Sequence, residues 1–155
     1  MREVEVADAL ATRRLGRDLA LLLPGTGSDG DPVILLLSGE LGAGKTSLVQ
    51  GLADGLGIEE AITSPTFALA HHYLRTGGGG LVHLDLYRLE EPGAADDLFA
   101  QEEEEARALG AVLAVEWPER LRVLPADAWR ISLHLIDRED PEAGRTVRIS
   151  LPPGC

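Results

Sequence analysis

The run Gly39-Glu40-Leu41-Gly42-Ala43-Gly44-Lys45-Thr46 carries the most specific chemistry in the chain. It completes the pattern GxxxxGK[ST], each part of which has a physical task. The glycines let the backbone curl into a nest of N–H groups that approaches phosphate oxygens without Cβ clashes. A helix starting there turns its positive end into the same space. Lys45 is placed to reach the β and γ phosphates, and the Thr46 hydroxyl to ligate Mg²⁺. A chance match is expected in roughly one of two hundred chains of this size. Of the 14 Lys and Arg residues, Lys45 alone is a lysine. A compact ammonium fits among phosphates as a point charge, whereas guanidinium is a planar fork. The run points to nucleotide binding.

Such a site also needs an acidic group for Mg²⁺ or for the attacking water, at the end of a neighbouring strand. Asp85 follows the apolar-rich residues 81–84, and Glu116 follows the continuous apolar run 111–115. Either carboxylate fills the role, and the residues alone do not separate them. Ser64-Pro65-Thr66 is placed to sense a γ-phosphate from a switch loop, and equally to form a capped turn. His71 and His72 point to opposite faces of an expected strand over 67–74, so they cannot pair on a metal. All four histidines read as structural or surface residues. The acidic run 102–105 reads as a solvated face rather than a metal site.

The elements that must position these groups follow from periodicity. Ala11, Leu15, Leu19 and Leu22 recur at helical spacing, predicting an amphipathic helix over 8–23. Residues 2–6 alternate as a short edge strand, and 24–32 form a loop by composition. The unbroken apolar run 33–37 predicts a central strand buried on both faces. Leu48, Val49, Leu52, Ala53 and Leu56 then predict a helix stopping at Gly57. Glycines 77–80 predict a mobile hairpin tip that holds neither helix nor strand. Further strands are expected over 81–87 and 111–115, a partly helical segment over 90–109, and strands over 129–136 and 146–151 joined by a hairpin loop. Buried strands interleaved with helices indicate an α/β sandwich with an antiparallel hairpin added.

Composition narrows the function classes. The chain has 155 residues, 45% of them hydrophobic, enough for one domain over 1–155 with a real core. A formal charge of −12 argues against gripping nucleic acid directly. One cysteine excludes an intramolecular disulfide framework and any Cys-rich zinc site. No apolar run reaches membrane-span length, and the basic and apolar stretch near residues 13–23 lacks the features of a cleavable signal. A cytoplasmic protein is expected.

Four pieces in order resemble the P-loop ATPase family of bacterial tRNA threonylcarbamoyladenosine biosynthesis, TsaE: the Gly39–Thr46 run, Ser64-Pro65-Thr66-Phe67, His83-Leu84-Asp85-Leu86-Tyr87-Arg88-Leu89 and Glu116-Trp117-Pro118-Glu119. The first is shared with very many ATPases, while the Asp-x-Tyr-Arg and Glu-Trp-Pro pieces are far more specific. The resemblance implies a P-loop NTPase three-layer sandwich, its mixed sheet ending in a C-terminal antiparallel hairpin. It also implies a Mg²⁺-dependent ATPase, slow alone, that acts as a nucleotide switch. The switch works with two partner proteins of the threonylcarbamoyl transferase complex and meets tRNA only through them. By the same resemblance Gly39, Glu40, Leu41, Gly42, Ala43, Gly44, Lys45 and Thr46 hold the phosphates. Thr46 and Glu116 bind Mg²⁺, Asp85 is the second acid for hydrolysis, and Thr66 belongs to the switch loop. Trp117 lies near the nucleotide or the partner surface, and Arg145 reaches the nucleotide from the hairpin. The competing classes are a small-molecule kinase, which needs an arginine-bearing lid, and a module that holds ATP as a structural ligand.

Overall fold

The structure, a computed structural model, describes residues 2–24, 31–40, 42–63, 69–75 and 78–153. Its elements in chain order are β1 (Arg2–Val6), α1 (Ala9–Leu22), β2 (Ile34–Gly39), α2 (Lys45–Gly55), β3 (Ala70–Leu74) and β4 (Gly80–Asp85). Then come α3 (Ala94–Leu109), β5 (Ala111–Glu116), β6 (Trp129–Leu135) and β7 (Arg145–Ser150), with single 3-10 turns at Pro118–Arg120 and Pro141–Ala143.

The strands form one seven-stranded sheet in the order β1-β7-β6-β2-β5-β4-β3. β6, β2, β5 and β4 run parallel, whereas β7 and β1 on one side and β3 on the other add antiparallel. The apolar run at β2 explains its central place. Leu35 and Leu37 face one core with α1 and α2, while Ile34 and Leu36 face a second core with α3. A strand buried on both faces needs apolar residues at every position. This is the α/β P-loop sandwich expected from the sequence, helices on both faces of a mixed sheet, with its antiparallel C-terminal hairpin.

Local rules set the helix ends. Asp8 caps α1 by accepting the Ala11 N–H at 2.8 Å, and Leu23 turns extended before Pro24. α3 carries Asp96 and Asp97 in its first turn and Arg107 in its last, matching the helix dipole, and closes on left-handed Gly110.

Several expectations are corrected. Gly80 does enter a strand, because it pairs in register with Leu74 on one side and Ala111 on the other. Of the strand expected over 67–74, the described part is β3 over Ala70–Leu74 with Leu69 outside it, and β4 ends at Asp85, where the chain turns so that Tyr87 N–H bonds back to the Asp85 carboxylate. The acidic run 102–105 is not wholly solvated: Glu102 is buried and its carboxylate meets His72 at 2.6 Å. The expectations for Leu41, for Ser64-Pro65-Thr66 with Phe67, for Gly77 and for most of the 24–32 loop lie outside the described residues.

Candidate functional site

The Gly39–Thr46 segment joins β2 to α2 at the carboxyl end of the parallel strands. Gly39 passes so close to β6 that a Cβ there would lie 2.5 Å from the Leu133 carbonyl oxygen. Gly44 caps α2 at φ 106°, a conformation that favours glycine, and a Cβ would meet the Arg145 guanidinium at 2.7 Å. The turn is closed by the Ala43 N–H donating to the Glu40 carbonyl at 3.1 Å. The Glu40 side chain is committed elsewhere, accepting the Leu135 N–H at 3.1 Å with Arg138 at 3.7 Å.

Beside the head of α2 opens a cavity of about 450 Å³, within the range of small-molecule sites. Gly42, Gly44, Lys45, Thr46, Asp85, Glu116, Trp117 and Arg145 line it, together with Ala9, Ser47 and Tyr87. Asp85 and Glu116 lie directly opposite each other on the parallel strands β4 and β5. The structure thus brings the two carboxylates together rather than choosing between them. Arg145, buried at the start of β7, places its Nη1 within 3.4 Å of the Ala43 carbonyl oxygen. Thr66 and Leu41 lie outside the described residues.

The electrostatics are those of opposite charges brought out of water, with Lys45 and Glu116 buried and Asp85 partly so. Burial pulls the Lys45 ammonium below its ordinary range, against Glu116, Glu119, Asp85 and Glu40, whose charges hold it up. Its Nζ donates to the Gly39 carbonyl and sits 4.1 Å from the centroid of the Trp117 ring. Burial pushes the Asp85 carboxyl up and the nearby Glu116 charge adds to that, while the Tyr87 N–H, donating at 3.0 Å, and Lys45 act against it. Trp117 is the only non-glycine with positive φ among the described residues, at φ 60°. For a bulky side chain that conformation is strained. It turns the indole back over Lys45 and against Tyr87, with ring centroids 4.7 Å apart.

Reading the sequence missed His83. The ring is fully buried and its Nε2 lies 2.5 Å from a Glu116 carboxylate oxygen. The signal was present, since His83 precedes Asp85 by two on a strand and so shares its face. His71, by contrast, packs on Tyr73 and His72 on Glu102, away from the cavity.

The cavity presents oxygen donors, the Thr46 hydroxyl with the Asp85 and Glu116 carboxylates, which suit a hard divalent cation. Among the described residues no cluster of three or more His, Cys, Asp or Glu would hold a metal unaided. One or two carboxylates completed by substrate phosphates is the usual Mg²⁺ arrangement. The residues therefore fit Mg²⁺ carried by a nucleotide.

Comparison with known proteins identifies the family. A chain 48% identical over 127 residues, from Synechocystis, covers 80% of this one and is matched over 74% of its own length. It is described as a tRNA threonylcarbamoyladenosine biosynthesis protein TsaE, as is a Streptomyces coelicolor protein 41% identical over 138 residues, covering 88% of this chain and 85% of that one. The crystal structure of Bacillus subtilus YdiB superposes with a TM-score of 0.71 at 23% identity, spanning 97% of this chain and 84% of that one, which establishes the shared fold. The family model for the threonylcarbamoyl adenosine biosynthesis protein TsaE matches residues 6–146, a span that takes in both core layers, the cavity and Arg145. The chain belongs to the TsaE family of tRNA threonylcarbamoyladenosine biosynthesis proteins.

Proposed function

We propose that the cavity binds ATP with Mg²⁺ and hydrolyses it, and that the bound nucleotide switches the protein's contact with two partner proteins of the threonylcarbamoyl transferase complex. The observation that carries this reading is the meeting of Lys45, Thr46, Asp85 and Glu116 at one cavity beside the N-terminus of α2. Lys45 and the loop N–H groups hold the phosphates, and Arg145 adds a second cation from the other side of Gly44. Thr46 and Glu116 would hold Mg²⁺, which would supply charge neutralisation at the phosphates. Asp85, raised above the ordinary carboxylate range, orients the attacking water and accepts its proton. The Trp117 ring must give way for a phosphate to reach Lys45, which makes the Glu116-Trp117-Pro118 turn the segment that senses the nucleotide.

Nothing in α3 favours the kinase reading. Arg107 bonds to Asp31, which precedes β2, and to Glu104, so it stands at the end of the sheet opposite the cavity. No helix among the described residues is long and apolar enough to cross a membrane.

Replacing Lys45 by Ala is expected to lower nucleotide affinity by at least about a hundredfold, roughly 2.7 kcal/mol. Isothermal titration with Mg-ATP and release of free phosphate measure it. Unchanged hydrolysis in Lys45→Ala would refute the site. A phosphorylated metabolite formed in step with ADP would replace the switch reading by the kinase one.

A further inference from the structure

We infer that His83 is a positioning residue that holds Glu116 for the reaction. This rests on the Mg-ATP reading of the cavity. β4 and β5 pair with His83 opposite Ala114 and Asp85 opposite Glu116. On alternating strands, Leu81, His83 and Asp85 share the face occupied by Ala114 and Glu116. Leu81 and Ala114 belong to the core beneath α1 and α2, so the His83 ring lies under the floor of the cavity.

His83 Nε2 lies 2.5 Å from Glu116 Oε2. A carboxylate that serves a cation only accepts, so in this role the imidazole is the donor, from Nε2–H. The other ring nitrogen, Nδ1, is buried and meets no hydrogen-bond partner among the described residues. The polar contact of the imidazole is therefore spent on Glu116. Leucine would fill the same space without burying a bare nitrogen, so packing alone does not account for a histidine here.

Holding Oε2 has two consequences. It leaves Oε1 as the oxygen Glu116 can turn toward the cavity, and it stops the carboxylate from swinging onto Lys45. Glu116 already acts on Lys45 through space, yet among the described residues no ion pair within 4.0 Å joins Lys45 to either carboxylate. A collapsed Lys45–Glu116 pair would remove both groups from the phosphates. His83 keeps them apart.

The test compares wild type with His83→Leu, His83→Gln, Glu116→Gln and the double variant His83→Leu/Glu116→Gln, all as the full chain. Hydrolysis of Mg-ATP, affinity for a fluorescent ADP analogue in EDTA, and thermal midpoint are measured for each. His83→Leu should lower kcat about 10–100-fold while metal-free affinity stays within about threefold. His83→Gln, whose amide N–H can still donate, should recover most of that loss. In the Glu116→Gln background the Leu substitution should cost less than about threefold more, because a residue acting through Glu116 has nothing left to act on. Ring ¹⁵N spectra of the wild type should place the proton on Nε2. Wild-type kcat in His83→Leu, an undiminished loss in the Glu116→Gln background, or a proton on Nδ1 alone would each overturn the inference. Should His83→Leu fail to fold, His83→Asn, whose shorter amide stops short of Glu116, takes its place in the same comparison. A wild type that neither binds nor hydrolyses Mg-ATP takes down the site reading itself; an active wild type matched by His83→Leu takes down only the role of His83.

Discussion

Asp85 shows how a site residue opposes stability. Its carboxyl lies half-buried beside Glu116, and burial raises it above the ordinary carboxylate range. A carboxyl raised on folding contributes stability that is fully present below its unfolded range, near pH 3.9, and is lost as pH rises through its folded value. At neutral pH the ionised group is therefore a cost. Asp85→Asn should melt about 2 °C above wild type at pH 7 without nucleotide, and the difference should vanish as pH falls toward about 4. The same substitution should lower hydrolysis by about a hundredfold or more. A thermal series across pH, paired with phosphate release at pH 7, reads both. Trp117 makes a similar trade. An indole in the left-handed region is held there by Lys45 beneath it and Tyr87 beside it, so strain is kept at the wall of the cavity.

At the scale of elements, the contact between α1 and α2 positions the loop. Gly51 on α2 lies so close to α1 that a Cβ would stand 1.8 Å from the Arg13 carbonyl oxygen, and Gly16 faces the Leu48 carbonyl oxygen at 2.2 Å. The backbones touch, and the Arg13–Asp54 ion pair at 2.6 Å closes the rim. Arg13 in turn holds the Asp54 carboxyl below its ordinary range. Through this contact the buried Thr12 reaches Gly44, with its methyl 3.5 Å from a Cβ built there. Gly51→Ala must push the helices apart and should destabilise by about 1–3 kcal/mol, measured by urea unfolding. Because α2 carries Lys45 and Thr46 in its first turn, the variant should also weaken nucleotide binding by more than its distance from the cavity implies. The spacing of Gly51 and Gly55 was visible in the chain, but periodicity marks only which face of a helix is apolar. It says nothing of how near a second helix comes.

For the whole molecule, the cavity gathers groups from α1, α2, β4, β5 and β7, so a ligand there ties distant parts of the chain together. Mg-ATP at about a hundred times its dissociation constant should add about 2.7 kcal/mol of stability. That corresponds to a rise in thermal midpoint of roughly 5–10 °C, absent in Lys45→Ala, by calorimetry. Much of this was legible in one dimension. The Gly39–Thr46 pattern, the doubly buried β2 run, the helix spans and the two terminal strands rest on short-range rules of sterics, capping and burial, which act within a few residues. The sequence also named Asp85 and Glu116 by their places at strand ends. What it did not determine was register. Only the pairing of β4 with β5 sets Asp85 opposite Glu116 and slides His83 beneath it, and only the return of β6 alongside β2 carries Arg145 on β7 to Gly44. Glu102 likewise read as solvated because four glutamates in a row carry no mark of which one faces the sheet. These are long-range facts, decided by which strands share backbone hydrogen bonds and which helix face meets the core, and they appear only when the chain has folded.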